Sequence, residues 1–188
     1  DYGMGNIHSV RKAIEILQEE VLLVKKKNQI NQCKALVIPG QGAFDPAIQN
    51  LNKTDLIFNI KDWIKRGNHF LGICLGHQSL AAAEQGVVKK SPNGAIHGTP
   101  ITCYHDGEGI FAGLKNPQLF TRYNSLTVEI NSPNSQLMIS AKDDNGEIMA
   151  LRHKFLPIMS VQFHPESIGS PNGLKLLENF LCNNRMLE

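Results

Sequence analysis

Phe70-Leu71-Gly72-Ile73 is apolar throughout and runs without a break into Cys74-Leu75-Gly76-His77-Gln78 and an alanine-rich segment ending at Ala83. A strand wetted on one face alternates polar and apolar residues, so a run with no alternation reads as a strand covered on both faces. A helix that follows such a strand at once has to fold back over the sheet. Ala35–Ile38 repeats the apolar run and stops at Pro39-Gly40-Gln41-Gly42, Val21–Val24 is a run of the same kind, and Ile158–Phe163 reads as a further strand ending at His164. Helical spacing links Ile7, Val10, Ala13, Ile14 and Leu17, predicting a helix from Asn6, its N-cap, to about Glu19. A second helix carries Leu56, Ile57, Ile60, Trp63 and Ile64, with Thr54 as a cap and Gly67 as its stop; a third covers Leu174–Leu181. Strands alternating with helices imply an α/β fold: a mostly parallel central sheet with helices on both faces. Ile101–Tyr104, Leu126–Ile130, Gln136–Ile139 and Ile148–Leu151 add an antiparallel extension, with Asn145-Gly146 as the hairpin turn between the last two. No repeat or linker interrupts the 188 residues, so the expected organisation is one domain spanning 1–188. The opening Asp1-Tyr2-Gly3 reads as the loop after a strand.

A net charge of +2, with no basic run beyond Lys25-Lys26-Lys27, argues against nucleic acid as a partner. No apolar run reaches membrane-spanning length, and no membrane association is expected. Cys33, Cys74, Cys103 and Cys182 show neither close pairing nor zinc spacing. The simplest setting is a reducing, cytoplasmic one in which a cysteine is available as a nucleophile.

Cys74 has a special setting. It lies between a buried strand and a helix, flanked by Gly72 and Gly76, the layout of a nucleophile elbow. The helix N-terminus favours the thiolate, and its amides can hold an oxyanion. The local sequence alone suits an inert buried cysteine equally well. A cysteine nucleophile needs a base, and His164 ends an apolar strand with Glu166 two positions on. In an extended chain these point to the same side, so Glu166 can orient the imidazole; Pro165 helps keep the chain extended. Parallel strands present such groups at their carboxyl ends, where Cys74, His164 and the turn at Gly40 all fall. His77 is expected to pack or to make an interface contact. His97, His105 and Asp106 match no zinc pattern and are expected in exposed loops. Cys103, Phe44, Trp63 and Phe70 read as core.

Gly72-Ile73-Cys74-Leu75-Gly76-His77-Gln78, with Phe163-His164-Pro165-Glu166-Ser167 downstream and Pro39-Gly40-Gln41-Gly42 upstream, resembles the class I (triad) glutamine amidotransferases, whose fold is flavodoxin-like. The resemblance implies that Cys74 attacks the side-chain amide of glutamine, that His164 moves protons and that Glu166 orients it. It implies an oxyanion hole from the backbone of Leu75 and of Gly40-Gln41. Substrate contacts are implied at Gly42, Gln78, Tyr123, Asn124, Ser125 and Leu126, with no metal and no organic cofactor. The expected partners are glutamine and an ammonia-accepting synthase subunit. Asp1–Asn6, Ser9-Val10 and Pro39–Phe44 resemble the glutaminase subunit of imidazole glycerol phosphate synthase. From His77 onward the likeness turns to the anthranilate and aminodeoxychorismate synthase glutaminases, at His97-Gly98, Tyr104–Phe111, Arg122-Tyr123 and Ser125-Leu126. The second half is given more weight, so the expected acceptor is a chorismate-using synthase. The histidine-pathway enzyme is the alternative, and a non-catalytic regulatory binding module a further one. Departures from the chorismate type stand at Thr99, where that group has lysine, and at Asn124, where it has histidine.

Overall fold

The computed structural model describes residues 6–40, 56–133 and 135–185. Helix α1 (Ile7–Ile16) starts at Asn6, whose side chain accepts a hydrogen bond from the Ser9 amide at 3.3 Å. It ends sooner than its apolar spacing suggests, because Gln18 takes a positive φ of 62°. A 3-10 turn (Lys27–Gln32) leads to β1 (Ala35–Ile38); then come α2 (Leu56–Lys65), β2 (His69–Ile73), α3 (Leu75–Ala83) and β3 (Val87–Lys90). The second half holds β4 (Ile96–His105), a 3-10 turn (Gly109–Phe111), β5 (Gln118–Asn124), β6 (Leu126–Glu129), β7 (Leu137–Asp143), β8 (Ile148–His153), β9 (Ile158–Val161) and α4 (Gly173–Arg185).

Seven strands form one sheet in the order β1-β2-β9-β8-β7-β4-β5. β1, β2 and β9 are parallel, and from β9 through β8, β7, β4 and β5 every pairing is antiparallel. The α/β fold with parallel strands and an antiparallel extension is present as a mixed sheet, in which, among the described residues, the parallel strands form one side and the extension is longer than expected. β3 and β6 pair with each other in a separate two-stranded ribbon. The Asn145-Gly146 turn joins β7 to β8, with Gly146 at φ 79° donating to the Asp143 carbonyl at 3.0 Å.

Side chains alternate across the parallel strands and feed two cores. Leu36, Ile38 and Phe70 pack with Leu56, Ile60 and Trp63 of α2 and with Leu75 and Leu80 of α3. Leu71 and Ile73 pack on the other face with Val10 and Ile14 of α1 and with Leu176, Leu177 and Phe180 of α4. Leu71 and Ile73 are wholly buried. Side chains of this kind each contribute roughly 1.5–3 kcal/mol relative to staying exposed.

Val21–Val24 is not a strand. Only Val24 of the four is buried, and the segment and β1 together line a cavity of about 580 Å³. Val24 packs in one core with Leu36 and Ile38 and Val21 against the other, a burial that the local pattern cannot distinguish from pairing in a sheet. Lys25–Lys27 are exposed, as a solvated run should be, though the segment before them is not a strand. Thr54 and Phe44 lie outside the described residues. Gly67, at φ 74°, closes α2 as expected, donating to the Ile64 carbonyl at 2.9 Å. Trp63, Phe70 and Cys103 are core residues. No helix among the described residues is long and apolar enough to cross a membrane, and all four cysteines are free.

Candidate active site

Cys74 occupies the junction between β2 and α3 with φ 53° and ψ −97°, a conformation that side-chain-bearing residues avoid. Strain of this kind persists where the surroundings over-determine it. Here both flanking glycines do so. A Cβ on Gly72 would lie 2.6 Å from the carbonyl of Gly76, and one on Gly76 would lie 2.3 Å from the Ile38 carbonyl oxygen. The spacing Gly-x-Cys-x-Gly is thus the condition for folding the first turn of α3 directly over the ends of β1 and β2.

The sheet sets His164 at the same edge as Cys74. Ile73 and Val161 are paired across β2 and β9, and the Cys74 amide continues the ladder by donating to the Val161 carbonyl at 2.8 Å. His164 follows three residues after Val161 at the same carboxyl edge. Its amide donates to the Thr121 carbonyl of β5 at 2.9 Å, and its own carbonyl accepts from the Ser170 hydroxyl at 2.7 Å. Phe163 stacks on Phe120 with ring centroids 3.9 Å apart, and the Tyr123 ring meets the His164 imidazole edge-on at 5.3 Å.

The imidazole Nδ1 is 2.7 Å from Glu166 Oε1, and both side chains are 2% exposed. The carboxylate fixes Nδ1 as the protonated nitrogen and directs Nε2 away from itself. That Nε2 is shielded from solvent and has no conventional hydrogen-bond partner among the described residues. Burial alone would lower the pKa of His164. Hydrogen bonding and charge interactions with Cys74 and Glu166 outweigh it and push the value up to about 9. A cysteine beside an imidazole that a carboxylate orients is the arrangement of a cysteine acyl-transfer site.

Leu75, at the start of α3, has its amide beside the nucleophile. It donates to the Gly40 carbonyl at 3.4 Å. Gly40 thus offers an acceptor here, the wrong polarity for an oxyanion, and a developing charge uses Leu75 only by displacing that carbonyl. Gln41 and Gly42 lie outside the described residues. Gln78 is buried and gives its amide hydrogens to Gln162 Oε1 at 3.2 Å. Tyr123 is 40% exposed over the triad, and Ser125 is exposed, its carbonyl accepting from the Ser91 amide at 2.9 Å. Asn124 is buried and donates to the Leu126 carbonyl at 2.7 Å.

Two residues of this region escape a sequence reading. Gln162 is fully buried and sends its amide nitrogen to within 3.5 Å of Cys74 Sγ. Its one sequence signal is a polar residue inside the run Ile158–Phe163. Arg122 is also fully buried. It binds Asp143 and Glu147 at 2.7 Å each and Asn124 at 2.9 Å. An arginine in a strand reads as surface unless its acidic partners, here on β7 and in the turn after it, are known to be near.

His77 is buried, with Nδ1 2.9 Å from the Ser160 hydroxyl, and burial pulls its pKa down to about 3. It packs rather than moves protons. His105 departs from the exposed loop position expected for it: it is buried, stacked on Phe111 at 4.6 Å, with Nε2 2.9 Å from the Lys115 carbonyl. Asp106 does face solvent and pairs with Arg152 at 2.9 Å; His97 is exposed at the start of β4. Among the described residues no cluster of three His, Cys, Asp or Glu side chains could hold a metal ion.

A strained cysteine at a strand-to-helix elbow, with a buried His–Glu pair just beyond the neighbouring parallel strand, is the arrangement expected of a cysteine-dependent acyl-transfer site on an α/β fold. The family model for glutamine amidotransferase class-I matches residues 1–184, and the chain belongs to that family. The imidazole glycerol phosphate synthase subunit HisH of Prochlorococcus marinus subsp. pastoris is 41% identical over 211 residues, covering 96% of this chain and 95% of that protein. The aminodeoxychorismate/anthranilate synthase component 2 of Bacillus subtilis is 47% identical over 110 residues, covering 58% of this chain and 56% of that protein. The fold matches a glutamine amidotransferase from Thermotoga maritima with a TM-score of 0.69 at 15% identity, covering 96% of this chain and 92% of that one.

Proposed function

We propose that Cys74, His164 and Glu166 hydrolyse glutamine and that the ammonia passes to a synthase subunit. The Cys74 sulfur attacks the side-chain amide carbon, and the electron pair of the C=O bond moves onto oxygen. When the tetrahedral adduct collapses, the C–N bond breaks, and His164 supplies the proton with which ammonia leaves. Water deprotonated by His164 then attacks the thioester, releasing glutamate and the thiol. Glu166 keeps the imidazole in one tautomer through both steps. The buried His164–Glu166 pair at 2.7 Å, just beyond the strand that pairs with β2, carries this reading. Tyr123 and the following backbone to Leu126 would hold the α-amino and α-carboxylate groups of glutamine.

For the acceptor, likeness over nearly the full length favours a cyclase of the imidazole glycerol phosphate synthase kind, in place of the chorismate-using synthase that the second half of the sequence suggests. The chorismate-type reading stands second, supported by the higher identity over 110 residues. The test measures glutamine hydrolysis by the chain alone, then with an imidazole glycerol phosphate cyclase, then with an anthranilate synthase large subunit. Stimulation by the cyclase alone is expected; stimulation by the anthranilate synthase subunit alone reverses the choice. Cys74→Ser is expected to abolish hydrolysis in every mixture, and retained hydrolysis removes Cys74 from the mechanism.

A further inference from the structure

Gln162 is wholly buried between Val161 and Phe163, both also wholly buried. A primary amide in such a place is unfavourable wherever one of its polar ends is left without a partner. Neither end is left so. Its backbone amide continues the β8–β9 ladder by donating to the Met149 carbonyl at 2.8 Å. Its Oε1 accepts from Gln78 Nε2 at 3.2 Å. Its Nε2 donates to Cys74 Sγ at 3.5 Å. The first bond sets the second: with oxygen held by the Gln78 donor, the NH₂ end is the one that meets sulfur.

We propose that Gln162 is a positioning residue for the nucleophile: its amide donates to the Cys74 sulfur, favouring the thiolate and fixing its direction, while Gln78 keeps that amide in the donating orientation. A thiol sulfur is a weak acceptor and a thiolate a strong one, so this bond strengthens when the proton leaves. The sulfur is then held between two donors, the Gln162 amide and the His164 imidazolium. The other groups facing it among the described residues are the amides at the start of α3, Glu166 behind His164, Tyr123 of β5 against the imidazole, and His77 of α3, which is turned to Ser160. Only the His164 imidazolium pairs charge with the thiolate; Glu166, itself an anion, pairs with the far side of that ring.

The inference rests on Cys74 being the nucleophile, and the test separates the two. Alkylation of Cys74 by iodoacetamide is followed by peptide mass spectrometry across the pH range in the full chain and in Gln162→Met and Gln162→Glu. Methionine keeps the volume and removes the donor; glutamate keeps the shape and replaces the donor with an acceptor. Both variants are expected to slow alkylation of Cys74 at neutral pH by about tenfold or more, the effect of losing one hydrogen bond to a charged acceptor, and to move the profile to higher pH. Gln78→Met is expected to shift it in the same direction but less. A purely structural glutamine would lower the melting temperature and leave the profile in place, and that result overturns the proposal. Should the Gln162 variants fail to fold, the wild-type chain provides the second measurement: the Gln162 side-chain NH₂ resonances should move as Cys74 ionises and stop moving in Cys74→Ser. Resonances indifferent to Cys74 overturn the proposal too. Glutamine hydrolysis surviving in Cys74→Ser sinks the nucleophile assignment itself; hydrolysis lost there with an unmoved Gln162→Met profile sinks only the role of Gln162.

Discussion

Replacing Arg122 by methionine removes a charge that two buried carboxylates share. Arg122 is 0% exposed, and the side chains of Asp143 and Glu147 are 3% and 4% exposed. Breaking a buried pair by removing one partner costs about 3–5 kcal/mol, since the charge left behind has no compensation. Here the carboxylates keep some donors: Asp143 still accepts from the Asn145 and Glu147 amides, and Glu147 from Ser91 and Asn93. The low end, about 3 kcal/mol, is therefore expected, which for a chain of this size lowers the melting temperature by roughly 6–12 °C. The substitution also reaches the site. Arg122 Nε holds Asn124 Oδ1 at 2.9 Å, and Asn124 in turn holds the Leu126 carbonyl. The segment Tyr123–Leu126 loses its anchor, so KM for glutamine should rise more than kcat falls. Acid sensitivity should increase as well. Burial would raise the pKa of Glu147, but hydrogen bonds from Ser91, Asn93 and Arg122, with the Arg122 charge, hold it below 4.5. Its stabilisation is present above that value and is lost as pH falls through the lower folded value, so removing Arg122 should bring acid unfolding to higher pH. Urea titration gives the stability loss, and the cycle with Asp143→Asn and Glu147→Gln isolates the charge effect. A loss below about 1 kcal/mol, or an equal loss in the neutralised background, would refute the argument.

Gly76→Ala places a Cβ 2.3 Å from the Ile38 carbonyl and must push α3 off β1; a loss of about 1–3 kcal/mol in urea titration is expected, with hydrolysis of glutamine falling more steeply than stability. His164→Gln should lower kcat by roughly 10²–10⁴-fold, the usual share of a positioned acid–base group, as read by glutamate release under saturating glutamine. Because the folded pKa of His164 lies above its ordinary 6.5, its stabilisation is complete below 6.5 and disappears as pH rises through about 9. The urea midpoint of the wild-type chain should fall across that window, and His164→Gln should flatten the fall.

The elbow was legible in the sequence because its two glycines answer to backbone contacts of neighbouring segments, a constraint that spacing alone expresses. His164 and Glu166 were legible as a pair for a related reason: two positions along an extended chain put both side chains on one side. Their meeting with Cys74 needed the sheet order, and the pairing of β2 with β9, whose partners lie 88 positions apart, has no local signature. Val21–Val24 shows the reverse case, since an apolar run beside a cavity has the pattern of a strand without being one. β3 and β5 were missed: Val87–Lys90 is mostly exposed, and Gln118–Asn124 hides four buried polar residues, Gln118, Thr121, Arg122 and Asn124, in a stretch that reads as surface. Gln162 and Arg122 share the same lesson. A buried polar side chain is justified by partners distant in sequence, and its own position gives no sign of them.

An electrophilic analogue of glutamine offers the most direct measurement of the site, because it reports recognition and nucleophilic attack in one event. The chain should take up one equivalent on Cys74, lose hydrolysis in step with that uptake, and be protected by glutamine. Cys103, whose thiol is driven up to about 12 by burial and the nearby Asp143 carboxylate, should remain unmodified. Uptake spread over several cysteines, or full hydrolysis by a chain blocked at Cys74, would contradict the account.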